Sequence, residues 1–391
     1  MRPLEGITVV TLEHAVAAPF ATRQLADLGA RVIKIERPGS GDFARGYDTR
    51  AAGLASHFVW INRNKESLTL NLKAPKAQEI VAQLVGNADI LVQNLAPGAA
   101  DRMGLSHEAL CDTNPGLIVC NISGYGPDGP DRDRKAYDLL IQAEAGFLSI
   151  TGSQDAPSKA GISVADIAAG MYAYTNILAA LIERGRTGRS KRIDVSMLEA
   201  LAEWIGYPMY YAYDGAPPPP RAGASHATIY PYGPFRAGDG QDVMLGLQNE
   251  REWAAFCDVV LGMPDLATDA RFASNHARSG ARAALDEIIY SVFDGLNSRE
   301  LIARLDRAGI ANARVNDMQG LWDHAQLKAR DRWREVSSPA GPLPALVPPG
   351  QSPQEARMDP IPALGADTDA ILRDLGHDET AISALRADGV I

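Results

Sequence analysis

Cysteine is scarce. Cys111, Cys120 and Cys257 are the only three in 391 residues, too few and too widely spaced for a disulfide framework or a thiolate metal site. Cys120, in the apolar run "LIVCNIS", reads as a buried strand thiol. Such usage suits a reducing compartment, so a cytoplasmic chain is expected. The seven histidines are scattered without ligand spacing, and no metal site is expected. Positive charge is also short, with a net of -10, which argues against general binding to nucleic acid because phosphate contacts need a basic face. Long apolar runs are missing. The best, "IAAGMYAYTNILAALI", is short for a membrane span and carries Thr175 and Asn176, so it reads as a core helix. "MRPLEGITVV" meets Glu5 before any signal-like apolar stretch develops. No GxGxxG fingerprint, P-loop or GxSxG elbow occurs, which leaves nicotinamide, ATP and serine-hydrolase readings without support.

What is present suits a globular chain with a large core. Hydrophobic residues make up 46% and charged residues 22%, and the length calls for two or more lobes. "ITVVTLE" (7–13), helical spacing over 18–29 and "ARVIKIE" (30–36) form a strand–helix–strand unit. The theme recurs in strand 67–72, helix 75–87, strand 89–95, strand 117–126 and strand 191–196. The fold class is therefore α/β, with a mostly parallel sheet. Four prolines at 217–220 exclude helix and central strand and suggest a stiff connector, although a long surface loop fits the composition nearly as well. Residues 225–320 read as a smaller α+β lobe. It has a hairpin around "AGDGQ" and the helix "NSRELIARLDRAG", which Asn297 caps with Glu300 reaching back and Gly309 ends. The expected division is 1–215 plus 325–391 as the large lobe and 225–320 as the small one. Residues 216–224 and 321–330 would be linkers.

Several loops follow strand ends, where open parallel sheets bind ligands. "ERPGSGDFAR" brings Arg37, "NLAPGAADRMG" brings Asn94 and Arg102, and "RDRKAY" brings Lys135. Each cation alone is an ordinary solvated charge, but together they could hold a polyphosphate at about 1.5–3 kcal/mol per charge-assisted bond. Asp166 stands alone in "SKAGISVADIAAG", just before an apolar helix. It reads as an N-cap or as a nucleophile; local sequence favours the cap. Either role needs the anion, which a helix N-terminus would favour.

"GARVIKIERPGSGDFAR", "NLAPGAADRMGL", "GYGPDGP", "KAYDLLIQAEAG" and "ADIAAGMYA" together resemble the blocks of the class III CoA-transferase family, in order and in register from about residue 3 to about residue 330. Its members include formyl-CoA:oxalate transferases, transferases for succinate, malate, citramalate or mesaconate, and α-methylacyl-CoA racemases. The resemblance implies a Rossmann-like large lobe built from both chain ends, a smaller lobe between, and an interlocked homodimer. It implies Asp166 as the nucleophile. CoA contacts would fall at Val16, Ala17, Arg37, Leu70, Asn71, Leu72, Lys73, Asn94, Leu95, Arg102, Lys135 and Tyr137.

By that resemblance the enzyme moves CoA from an acyl-CoA, such as succinyl-CoA, to a small carboxylic acid. CoA is its substrate and no other cofactor is needed. Racemases carry a histidine where this chain has Tyr137, and a phenol with a pKa near 10 is a poor base at neutral pH. A transferase is therefore the first reading, a 2-methylacyl-CoA racemase the second, and a non-catalytic CoA-binding protein the third. Formyl-CoA transferases carry a glycine run that "RAGASHATIYPYG" (221–233) lacks, which points away from oxalate, and "GDFARGYDT" with the "H…I.PYG" pattern more closely resembles the transferases of C4–C5 dicarboxylates. Arg45, Tyr47 and His226 are the residues expected at the acceptor, with Ser225 beside His226.

Overall fold

A computed structural model of the chain describes residues 1–189 and 191–391. The chain falls into two units: residues 1–146, 160–206 and 325–391 form the larger, and residues 147–159 and 207–324 the smaller.

The larger unit is built on a six-stranded sheet of β1 (Thr8–Leu12), β2 (Arg31–Glu36), β3 (Lys65–Thr69), β4 (Ile90–Gln93), β5 (Ile118–Ser123) and β6 (Lys191–Ser196). The order is β3-β2-β1-β4-β5-β6 and every pairing is parallel. Runs such as Val9–Val10, Ile90–Val92 and Ile118–Cys120 are buried, as strands covered on both faces require. The order reverses between β1 and β4, and crevices at such a reversal are where open α/β sheets take ligands. β3 begins two residues earlier and ends three residues earlier than the expected 67–72. The Leu70 N–H still bonds to the Glu36 carbonyl, but the Asn71 N–H turns to the Val390 carbonyl at 2.7 Å, so the chain leaves the sheet there.

Helix α1 (Ala17–Asp27) follows β1, and α2 (Pro75–Gly86) follows β3 with proline at its first position, where no donor is lost. Helix α3 (Asp138–Glu144) precedes the long α4 (Val164–Thr187), which ends at Gly188 in the left-handed conformation. By length and composition α4 could cross a membrane. Here, however, its alanine-rich face, including Ala165, Ala168, Ala169 and Ala173, is buried. Gly170 sits where α4 meets the start of α1. A Cβ there would lie 2.7 Å from the Ala17 carbonyl oxygen.

The smaller unit has an antiparallel sheet of β7 (Tyr232–Arg236), β8 (Asp242–Gly246) and β9 (Ala311–Arg314) over a core that includes Phe235, Trp253, Phe256 and Phe293. The expected hairpin is β7–β8, and the capping box of Asn297 and Glu300 is formed. The expected division places 207–224 with the large lobe and a linker; the structure instead groups these residues with the smaller unit. The end of this segment is tied to residues 147–159 by hydrogen bonds. Arg221 donates to the Ser153 and Gln154 carbonyls, and Gly223 N–H to that of Gly152.

Gly→Ala inside an exposed helix gains about 1 kcal/mol of helix propensity. Gly170→Ala is expected to show the opposite sign, a loss of about 1–3 kcal/mol from overpacking against Ala17, measured by denaturant unfolding.

Candidate active site

Asp166 lies in the first turn of α4, and it does not cap that helix. The N-cap is Ser163, which makes no side-chain cap bond. The acceptor comes from α3: Asp138 Oδ1 takes the Ala165 N–H at 2.8 Å and the Asp166 N–H at 3.3 Å. Asp138 Oδ2 accepts from Gln142 Nε2 at 2.7 Å, and Gln142 Oε1 accepts the Ala160 N–H at 2.9 Å. Asp138 and Gln142 are one helical turn apart, so both reach the segment entering α4. Sequence reading passed over both; the signal was an acid opening the helix of "KAYDLLIQAE". With the cap supplied from elsewhere, the Asp166 carboxylate has no hydrogen-bond partner among the described residues.

The expectation that the helix terminus keeps Asp166 readily ionised is corrected. Burial, followed by the nearby Asp138 charge, pushes it up to about 7. The folded protein therefore holds a proton there that the unfolded chain releases near pH 4. The stabilisation from that group falls as pH rises across this window.

Gly170 is four residues after Asp166, on the same face of α4. Its close approach therefore turns that face toward the start of α1. Tyr47 shares this region, because burial and the charges of Asp42, Asp166 and Tyr137 push its phenol up to about 12. His14, Phe43, Tyr47 and His57 form a run of ring contacts with centroids 5.2, 5.8 and 5.4 Å apart.

The turn from β1 into α1, containing Val16 and Ala17, is buried at the sheet reversal. Ala15 is left-handed at φ +60°, a conformation that costs a non-glycine residue about 1–3 kcal/mol. Asn94 was expected to offer its amide to a ligand. Instead its Oδ1 accepts the His14 N–H and its Nδ2 donates to the His14 carbonyl, both at 2.9 Å. Arg37, Arg102, Lys73 and Lys135 are exposed, and their side chains have no partner among the described residues. Leu70 is buried, and Asn71 and Leu72 are half-buried beside the C-terminal residues. Tyr137 is exposed.

Arg45 is not an open cation. Its Nε and Nη2 donate to Glu36 at 2.8 and 2.7 Å, and its guanidinium lies 3.7 Å over the Phe58 ring. His226 belongs to the smaller unit. Its Nδ1 accepts the Thr228 and Ile229 N–H groups at 3.2 and 3.0 Å, which places the proton of the neutral ring on Nε2. A cavity of about 270 Å³ opens at the ends of β4, β5 and β6, beside Leu95, Gln93, Asn121, Arg132 and Arg192; Asp166 is not part of its wall.

Residues 4–368 match the family model for CoA-transferase family III. The chain belongs to that family. This CoA-transferase is 34% identical to the succinyl-CoA:glutarate CoA-transferase of Mus musculus, over its whole length and 91% of the relative. It is 33% identical to the succinate–glutarate CoA-transferase of Agrobacterium fabrum, over 95% of this chain and 96% of that one. Its fold matches the crystal structure of a CaiB/BaiF family protein from Brucella suis with a TM-score of 0.83 and 33% identity, covering 96% and 99% of the two chains.

Activity that requires ionised Asp166 should rise through about pH 7 in a kcat/KM profile. Asp138→Asn keeps an oxygen acceptor for the α4 amides but removes the second charge, so its acid limb should move to lower pH. An unmoved limb would show that Asp138 does not set the proton affinity of Asp166.

Proposed function

We propose that this CoA-transferase moves CoA from an acyl-CoA, with succinyl-CoA the first choice, to a small dicarboxylate, using Asp166 as a covalent carrier. The observation that carries the reading is a half-buried carboxylate without a partner at the start of α4, held in place by its own backbone amide on Asp138. The glutarate transferases of mouse and Agrobacterium fabrum support a dicarboxylate acceptor.

Each step forms one bond and breaks another. An Asp166 oxygen attacks the thioester carbonyl, the C–S bond breaks, and a mixed anhydride forms as CoA thiolate leaves. The thiolate attacks the Asp166 carbonyl and expels the donor acid, leaving an aspartyl-CoA thioester. The acceptor carboxylate attacks that thioester and displaces the thiolate. The thiolate then takes the acceptor acyl group and returns Asp166 as a carboxylate. Carboxylate is a weak nucleophile toward a thioester, and holding the two in place can supply roughly 7–11 kcal/mol. The limited solvation that raises the proton affinity of Asp166 also leaves its ionised form more reactive.

CoA would lie along the carboxyl ends of β1 to β4, where Val16, Ala17, Leu70–Lys73 and Leu95 line the strand ends and Arg37, Arg102 and Lys135 offer unpaired cations to its phosphates. Tyr47, protonated up to about pH 12, would donate to an acceptor carboxylate. A second copy of the chain, interlocked with the first, would cover exposed Tyr207, Met209, Tyr210, Tyr211 and Tyr213. The tyrosine at 137 leaves proton exchange at an α-carbon without the base a racemase needs, which disfavours that activity.

Asp166→Ala should lose more than about a thousandfold in kcat while still binding CoA. Wild-type enzyme given succinyl-CoA alone should show a CoA adduct on Asp166 by mass spectrometry of peptides. Turnover retained in Asp166→Ala would end the assignment. A panel with glutarate, succinate and oxalate as acceptors, scored by new thioester mass, reads the acceptor directly.

A further inference from the structure

Beneath the β1–α1 turn lies a charge cluster that the chemistry above does not use. Glu13, Lys34, Asp42 and Lys65 are all buried. Lys34 Nζ bonds to Asp42 Oδ2 at 2.7 Å and to Glu13 Oε1 at 3.2 Å, and Lys65 Nζ bonds to Glu13 Oε1 at 2.7 Å. Glu13 Oε2 accepts the Thr11 and Thr22 hydroxyls. The other oxygen of Asp42, Oδ1, accepts the N–H of left-handed Ala15 at 3.1 Å and that of Ala44 at 2.9 Å. Asn94 clamps the preceding residue, His14, through both its amide and its carbonyl. The turn is thus fixed on consecutive residues from two sides, and α1 begins immediately after it at Val16, an N-cap that makes no side-chain cap bond. This is the carboxyl end of a central strand, at the sheet reversal, where a ligand needs open backbone donors.

We propose that Asp42, anchored by Lys34, is a positioning residue that holds the Ala15–Ala17 turn in the conformation that receives the CoA substrate. The inference rests on the CoA-transferase reading above. Four buried ionic groups are more than a turn needs for stability, since a buried ion pair gains little over well-packed apolar residues. They do give Asp42 a fixed orientation, with one oxygen on the lysine and the other on the turn. On that geometry, the turn rather than the sheet responds when Asp42 is changed.

The test is calorimetric titration of the full-length protein with coenzyme A, beside thermal unfolding and donor kinetics. Asp42→Ala leaves the part-buried Ala15 amide without its acceptor and should weaken CoA about tenfold or more, as the turn loses the bond that holds it. KM for the acyl-CoA should rise, with a smaller change in kcat. Asp42→Asn keeps an oxygen on both amides but turns its NH2 toward Lys34, so it should weaken CoA less than Asp42→Ala does. Lys34→Met should behave like Asp42→Ala, because Asp42 then loses its anchor. If Asp42→Ala does not fold, Ala15→Gly decides. Glycine takes φ +60° without strain, so Tm should hold or rise while the loosened turn weakens CoA about threefold or more. Wild-type affinity in Asp42→Ala, or in a folded Ala15→Gly, overturns the inference. Equal weakening in Asp42→Asn and Asp42→Ala does the same. A wild-type protein that does not bind CoA would instead overturn the transferase reading itself.

Discussion

The Asp138 carboxylate on the first amides of α4 is the contact on which the candidate site depends. A helix start needs acceptors for its free N–H groups, and an aspartate in the first turn would ordinarily be drawn into that task. Asp138 performs it from another helix, so Asp166 keeps its carboxylate free. The same contact places two acids close together in a poorly solvated region, which raises the proton affinity of Asp166. The contact therefore fixes the position of the carboxylate, while burial first and the Asp138 charge second set the pH range in which it is charged.

Position also depends on how closely α4 can approach α1. Gly170 and the run of small residues in "ADIAAGMYA" allow the two backbones to meet, which turns the Asp166 face toward the β1–α1 turn. That turn is held from below by the buried Lys34–Asp42 pair and from the side by Asn94. The sheet supplies the common frame, because the last residues of β1, β2 and β4 lead into Glu13, Arg37 and Asn94 respectively.

Much of this frame is legible in the sequence. Residues 191–196 read as a strand and are one, and the Asn297–Glu300 capping box reads from local spacing because every partner lies within one turn. Contacts across long separations are not legible in this way. The acceptor for the start of α4 lies 28 residues upstream of Asp166, so local spacing offers Asp166 itself as the cap. Arg45 reads as a free cation until the fold turns the Glu36 side chain onto it, and Asn94 reads as a ligand group until the parallel pairing of β1 and β4 brings His14 beside it. The unit boundary is hidden for the same reason, since the proline-rich segment joins residues 147–159 by bonds that span about seventy residues of chain.

The covalent role of Asp166 is tested most directly by oxygen exchange. Turnover with an acceptor acid carrying oxygen-18 in its carboxylate should leave one labelled oxygen in the side chain of Asp166, because the acceptor oxygen that bridges the anhydride stays on the enzyme when the thiolate takes the acyl group. With continued cycling the label should then appear in the released donor acid. A peptide containing Asp166 that stays unlabelled through many turnovers, with an unlabelled donor acid, would contradict the account.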